Sequence, residues 1–269
     1  MRGSASSALA KTRSSPLAKG KGGRFIERRP SYWEATRHPL ASLLLVIPMA
    51  LLYEGGVLWL GGSDADQLRT GADAWMRGAL QGLGFDDRGI LPILLVLVLL
   101  AWQVVAYRNS RVSPSIVLGM LFESLVWAVL LVVASRLLER GFRVLDQGWS
   151  PVLALTAAEG PSTREILSFI GAGLYEETLF RLILVPIFFQ VLRLCYTPCT
   201  IASALAVVAA GLLFALAHHA GAPAEPFTWF AFVFRWTAGV YFAWLFILRG
   251  FGVAAAAHAG YDILVSLSF

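Results

Sequence analysis

Apolar residues fill most of this chain in long blocks, separated by short polar connections. A helix needs about 20 apolar residues to cross a bilayer core of about 30 Å. About seven stretches meet or approach that length: 39–60, 90–107, 115–138, 165–190, 199–219, 227–248 and 250–269. The pattern therefore predicts an all-α fold, a polytopic transmembrane helical bundle of about seven spans. Local signals sharpen two boundaries. Ser162-Thr163-Arg164-Glu165 after Pro161 reads as a capping box opening the fourth stretch. Ala217-His218-His219-Ala220-Gly221, followed by Pro223 and Pro226, reads as the stop of the fifth. Phe142 to Leu155 reads as a piece lying on the membrane surface. The chain divides into an amino-terminal arm (1–38), a first group of helices and loops (39–160), and a carboxyl-terminal core (161–269) that holds the polar motifs below.

Composition agrees with the pattern. Of 269 residues, 57% are hydrophobic and only 14% charged, where an average soluble domain carries about 25% charged residues. A soluble enzyme with a single anchor is excluded by that balance. The net charge of +5 is local. Arg2, Lys11, Arg13, Lys19, Lys21, Arg24, Arg28, Arg29 and Arg37 stand in the arm, against Glu27 and Glu34. We read it as a disordered cytoplasmic tail facing lipid headgroups, with no nucleic acid as partner. The first apolar run starts too late and is too long for a cleavable signal peptide. Tyr32 and Trp33 then begin an interfacial aromatic belt. Counting Lys and Arg in the connections places the amino terminus inside the plasma (inner) membrane and, with seven spans, the carboxyl terminus outside. The 136–164 connection disagrees, because Arg136, Arg140, Arg143 and Arg164 would lie on the outer side. Cys195 and Cys199 have no redox or zinc spacing and read as ordinary thiols near an interface.

The chemistry lies in the charges that interrupt the apolar blocks. Tyr175-Glu176-Glu177-Thr178-Leu179-Phe180-Arg181 puts two carboxylates and a guanidinium inside the fourth stretch. Each costs about 2.5–3.5 kcal/mol at a bilayer centre on insertion scales. Glu177 and Arg181, four apart, share a helix face and can pair, whereas Glu176 is turned about 100° away. Three of the four histidines, His218, His219 and His258, also fall in apolar stretches. Phe214 precedes His218 by four residues, and His258 precedes Asp262 by four. Helices carrying such groups turn them toward one another and away from lipid. One buried polar cavity formed by the fourth, fifth and seventh stretches is the economical arrangement. A carboxylate beside an imidazole can hold and deprotonate a water, and a second imidazole can donate to a developing oxyanion. The same groups could bind a divalent metal such as zinc through Glu176, His218 and His258, although H-E-x-x-H and H-x-x-E-H are both absent. His219, next to His218, reads as interfacial. Glu54, Glu123 and Arg235 are further charges inside apolar stretches, and an Arg235–Glu123 pair would neutralise two of them. Arg235 on a substrate path is the alternative.

Taken in order, Glu176-Glu177-x-x-x-Arg181, Phe214-x-x-x-His218 and His258-x-x-x-Asp262 resemble the three motifs of the CPBP family, the CAAX-protease-like and bacteriocin-processing (ABI) intramembrane proteases. The resemblance covers roughly residues 160–269. It implies an intramembrane endopeptidase acting on a membrane-associated peptide or protein. By the same resemblance Glu176 activates the attacking water with His218, His258 and position 262 stabilise the oxyanion, and Glu177 and Arg181 are supporting residues. The family has been described both as metal-dependent and as a glutamate type without metal, so no cofactor is implied beyond the zinc alternative. Position 262 is commonly Asn in the prenyl-protein-processing members, and here it is Asp. An ionised Asp262 cannot donate to an oxyanion. Two rivals are carried beside the protease: a non-catalytic scaffold or immunity protein, and a proton-coupled transporter. Intact motifs weigh against the first, and the lack of an inverted repeat weighs against the second.

Overall fold

A computed structural model describes residues 31–87, 89–106, 112–145, 160–220 and 226–267. All seven apolar stretches fold as helices, and no strand occurs among the described residues. A short helix α1 (Tyr32–Ala35) is opened by a capping box of Ser31 and Glu34. It leads into α2 (Pro39–Gly61), then a 3₁₀ turn (Gly62–Leu68) and an amphipathic α3 (Gly71–Gly82). Helices α4 (Ile90–Ala106) and α5 (Pro114–Leu145) follow. The glutamate-bearing helix starts as α6 (Thr163–Gly171) and ends as α7 (Val185–Leu194). Then come α8 (Cys199–Ala217), α9 (Trp229–Arg249) and α10 (Phe251–Leu267).

Four helices, α2, α5, α8 and α9, are long and apolar enough to cross a membrane, and the chain is an integral membrane protein. Helices α4 and α10, at 17 residues each, are about 25 Å long at 1.5 Å per residue, a little short of a bilayer core. The 32 residues of α5 are longer than that core. This changes the reading of the basic 136–164 connection. Arg136, Arg140 and Arg143 stand on the last turns of α5, and Phe142 begins no separate surface helix. Residues 146–159 and the arm 1–30 lie outside the described residues. The 61–89 connection is likewise more than a loop, since it contains α3. Cys195 and Cys199 are exposed free thiols.

Helix α10 is the spine. It packs against α5, α9, α2, α6 and the helical turns that carry Glu176. Its Ala254, Ala255, Ala257 and Ala259 are buried, and small side chains let neighbouring backbones approach closely where no hydrophobic force drives association. A Cβ added at Gly173 would sit 2.5 Å from the Ala255 carbonyl oxygen. The same device brings α8 and α9 together, because a Cβ at Gly239 would lie 2.8 Å from the Cα of Gly211.

Candidate active site

The expected capping box at Ser162 and Glu165 is formed. It starts α6 in an ordinary winding, which then widens into two π-helical runs, Ala172–Glu176 and Thr178–Leu184, before α7 resumes. Two local features suit the wider turns. The Thr178 hydroxyl donates to the Leu174 carbonyl at 2.7 Å, and Pro186, near the start of α7, has no N–H to give. Such π-helical turns concentrate at functional sites.

Tyr175, Glu176 and Glu177 leave these turns in three directions. Glu177 is wholly buried. Its Oε1 accepts from His258 Nδ1 at 2.7 Å, and its Oε2 lies 3.1 Å from Arg181 Nε. That second contact is out of line for a hydrogen bond and is one of charge. Arg181, also buried, donates from Nη2 to the Gly239 carbonyl at 3.2 Å and lies over the Phe214 ring at 4.6 Å. The predicted Glu177–Arg181 pair is thus present. What the spacing did not show is that Glu177 reaches across to α10 and orients a histidine.

Glu176 faces the histidines. Its Oε2 is buried without a hydrogen-bond partner. His218 Nε2 and His258 Nε2 each lie 3.9 Å from it, and Asp262 Oδ2 is 3.7 Å from His258 Nε2. These separations exceed a direct hydrogen bond. The tautomers follow from the other ring nitrogens. His218 Nδ1 is 2.8 Å from the Phe214 carbonyl, which only accepts, so Nδ1 carries the proton. His258 Nδ1 donates to Glu177 in the same way. Both rings therefore present Nε2 to Glu176. Phe242 stacks on His258 with centroids 4.5 Å apart, and Phe214 meets His218 edge-on at 4.7 Å. The structure brings Glu176, Glu177, Arg181, His218, His258 and Asp262 together, from the fourth, fifth and seventh apolar stretches.

His219 is not part of that group. Its ring lies among aromatics, 5.2 Å from Phe227 and 6.3 Å from Phe232. The expected Arg235–Glu123 pair is replaced by another. Glu123 receives two hydrogen bonds from Arg249, one from the Tyr32 hydroxyl at 2.7 Å and one from the Trp127 indole at 3.1 Å. Arg249 lies over the Trp33 ring at 4.0 Å, so it is a buried structural charge rather than an exposed loop residue. Arg235 is close enough to act electrostatically on Glu176 and Asp262.

The zinc alternative can be tested on the donor set. Two Nε2 atoms and a carboxylate are suitable ligands, and a carboxylate behind His258 is the usual support for a metal-bound imidazole. As placed, the donor atoms stand wider than a bound ion would hold them, however. Ligands bound tetrahedrally at about 2.1 Å stand about 3.4 Å apart, and no three His, Cys, Asp or Glu side chains among the described residues are grouped to hold an ion.

Residues 162–264 match the type II CAAX prenyl endopeptidase Rce1-like family. No curated protein and no solved structure matches the chain. The matched region runs from the glutamate helix through Asp262, so every residue of the cluster lies within it. The family matched is one of endopeptidases.

One group of polar residues was not foreseen as a unit. Glu54 of α2 meets Arg69, Arg77 and Tyr175. Arg69, Asp73 and Arg77 stand at spacings of four, and that repeat next to an isolated Glu54 was the available signal.

Proposed function

We propose that the protein is an intramembrane endopeptidase that hydrolyses a peptide bond of a membrane-associated protein or peptide through a water activated by Glu176. The observation that carries this reading is the convergence of His218 Nε2 and His258 Nε2 at 3.9 Å on the unpartnered, buried Oε2 of Glu176. Gaps of this size suit a bridging water, which spans two polar atoms at about 2.8 Å from each.

In the proposed reaction the water donates one proton toward Glu176 and is oriented by the lone pair on His218 Nε2. Glu176 takes that proton as the water oxygen attacks the scissile carbonyl carbon. The resulting oxyanion is met by His258 in its doubly protonated form, which donates from Nε2 while Nδ1 stays on Glu177. Glu176 then returns the proton to the departing amine, and the C–N bond breaks. Asp262, acceptor only when ionised, holds His258 in place rather than donating to the oxyanion. The amino terminus lies on the cytoplasmic side of the plasma (inner) membrane in this reading.

The test is a comparison of wild type, Glu176→Ala and His218→Ala in cells, matched for membrane level, with small membrane-associated proteins profiled by mass spectrometry. A product that forms only with the wild type supports the protease and names its substrate. Identical profiles across hosts at equal expression would overturn it in favour of a non-catalytic scaffold.

A further inference from the structure

Glu177, Arg181 and His258 hold one side of the turn that carries Glu176. The other side is held by residues of the amino-terminal helices, outside residues 162–264. The Tyr175 hydroxyl donates to Glu54 Oε1, on α2. Glu54 is in turn met by Arg77 Nη2 at 2.7 Å and Arg69 Nη1 at 3.2 Å. Both arginines also donate to Asp73, Arg77 Nε at 2.6 Å and Arg69 Nη1 at 2.8 Å. Asp73 accepts a further bond from the Tyr53 hydroxyl at 2.9 Å, and Tyr53 accepts from the Thr70 backbone N–H at 3.1 Å. The Tyr53 ring closes the circuit, lying edge-on to Tyr175 with centroids 5.5 Å apart. Asp66, more exposed, also accepts from Arg69 Nε at 3.2 Å, and Tyr53, Asp73 and Tyr175 are wholly buried.

We infer that this network is a clamp on Glu176, with Tyr175 as a positioning residue of the active site. The argument is geometric. Helix α3 packs directly on the π-helical run Ala172–Glu176. A π-helical turn is a strained winding that persists only where its surroundings over-determine it. Tyr175 and Glu177 flank Glu176 and are anchored on opposite sides, one by Glu54 and the other by His258 and Arg181. With both neighbours held, the direction of the Glu176 side chain is set without any bond to its own carboxylate. That leaves both oxygens of Glu176 to the water and substrate. A buried network tied at this many points restricts the geometries open to it, and small misplacement of a reacting group costs up to about 100-fold in rate.

This inference rests on the protease reading for its kinetic part, so its test carries a second readout. Tyr175→Phe keeps the ring and removes the hydroxyl that reaches Glu54. We expect kcat on the substrate named by the cleavage comparison to fall about tenfold, with KM within about twofold. We also expect faster amide hydrogen exchange at 172–178 in detergent, with the rest of the bundle unchanged. Arg249→Met, which breaks a buried pair away from the clamp, lowers the melting temperature but leaves kcat of the folded protein and exchange at 172–178 as in wild type. Glu54→Gln serves the same purpose where Tyr175→Phe does not accumulate. Wild-type exchange at 172–178 in Tyr175→Phe or Glu54→Gln overturns the clamp. So does a fall in kcat matched by Arg249→Met. A wild type that cleaves nothing overturns the protease reading instead, and exchange alone then decides the clamp.

Discussion

His258 donates from Nδ1 to Glu177 Oε1 at 2.7 Å, so the second glutamate of the adjacent pair serves the last helix of the fold. Two neighbouring carboxylates thereby acquire different work. Glu177, between an arginine and an imidazole, is fixed; Glu176, one residue earlier, has an oxygen without a partner.

Removing Glu177 leaves Arg181 charged in the core. Glu177→Ala is expected to cost about 3–5 kcal/mol of stability, the range for stranding one partner of a buried ion pair. Thermal unfolding in detergent reads this directly. Glu177→Gln keeps an acceptor for His258 and should lose less.

A double-mutant cycle separates charge from shape at that pair. Glu177→Gln with Arg181→Met removes both charges, and the double variant should be more stable than the sum of the single changes by at least about 1 kcal/mol. Strict additivity would show that the pair contributes nothing.

The close approaches are equally open to test. Gly173→Ala places a methyl 2.5 Å from the Ala255 carbonyl oxygen, and overpacking of this kind costs about 1–3 kcal/mol. The loss should appear in both melting temperature and cleavage, because α10 carries His258. Gly55→Ala, with nothing within 4 Å of the added methyl, is the control and should lower neither.

Glu123 and Arg249 make a pair that binds α1, α5 and α9 at one end of the bundle. Arg249→Ala should destabilise by about 3 kcal/mol or more, since it strands Glu123. Arg235→Ala should spare the melting temperature relative to Arg249→Ala, which would invert if Arg235 were the partner of Glu123.

Metal removal distinguishes the two chemistries of the family. With donor atoms 3.7–3.9 Å apart around Glu176 and His258, cleavage by the purified protein should survive exhaustive dialysis against a strong zinc chelator. Activity lost on dialysis and restored by zinc alone would replace the water held by protein atoms with a metal-bound one.

Much of this protein was legible in the amino-acid order. Runs of about 20 apolar residues dictate helices, because a backbone in hydrocarbon satisfies its own hydrogen bonds that way. Charges inside those runs point to buried polar clusters, since only partners inside the bundle offset the cost of placing them there. On those grounds the helices, the cluster of Glu176, Glu177, Arg181, His218, His258 and Asp262, and the capping box at Ser162 follow from sequence alone. Spacing within one helix also gives the Glu177–Arg181 pair, because residues four apart meet on one face.

Contacts between helices could not be read that way. Arg249 and Arg235 are both basic residues of one helix, and only the packing of α9 on α5 decides that Arg249 meets Glu123. Likewise Glu177 is four residues from Arg181 but 81 from His258, and no periodicity reports a partner at that distance. The ring nitrogen each histidine turns to Glu176 and the contact of Tyr175 with Glu54 were decided by tertiary structure. They depend on the rotation and depth of each helix, which the packing of glycine and alanine surfaces sets and the hydrophobic pattern does not.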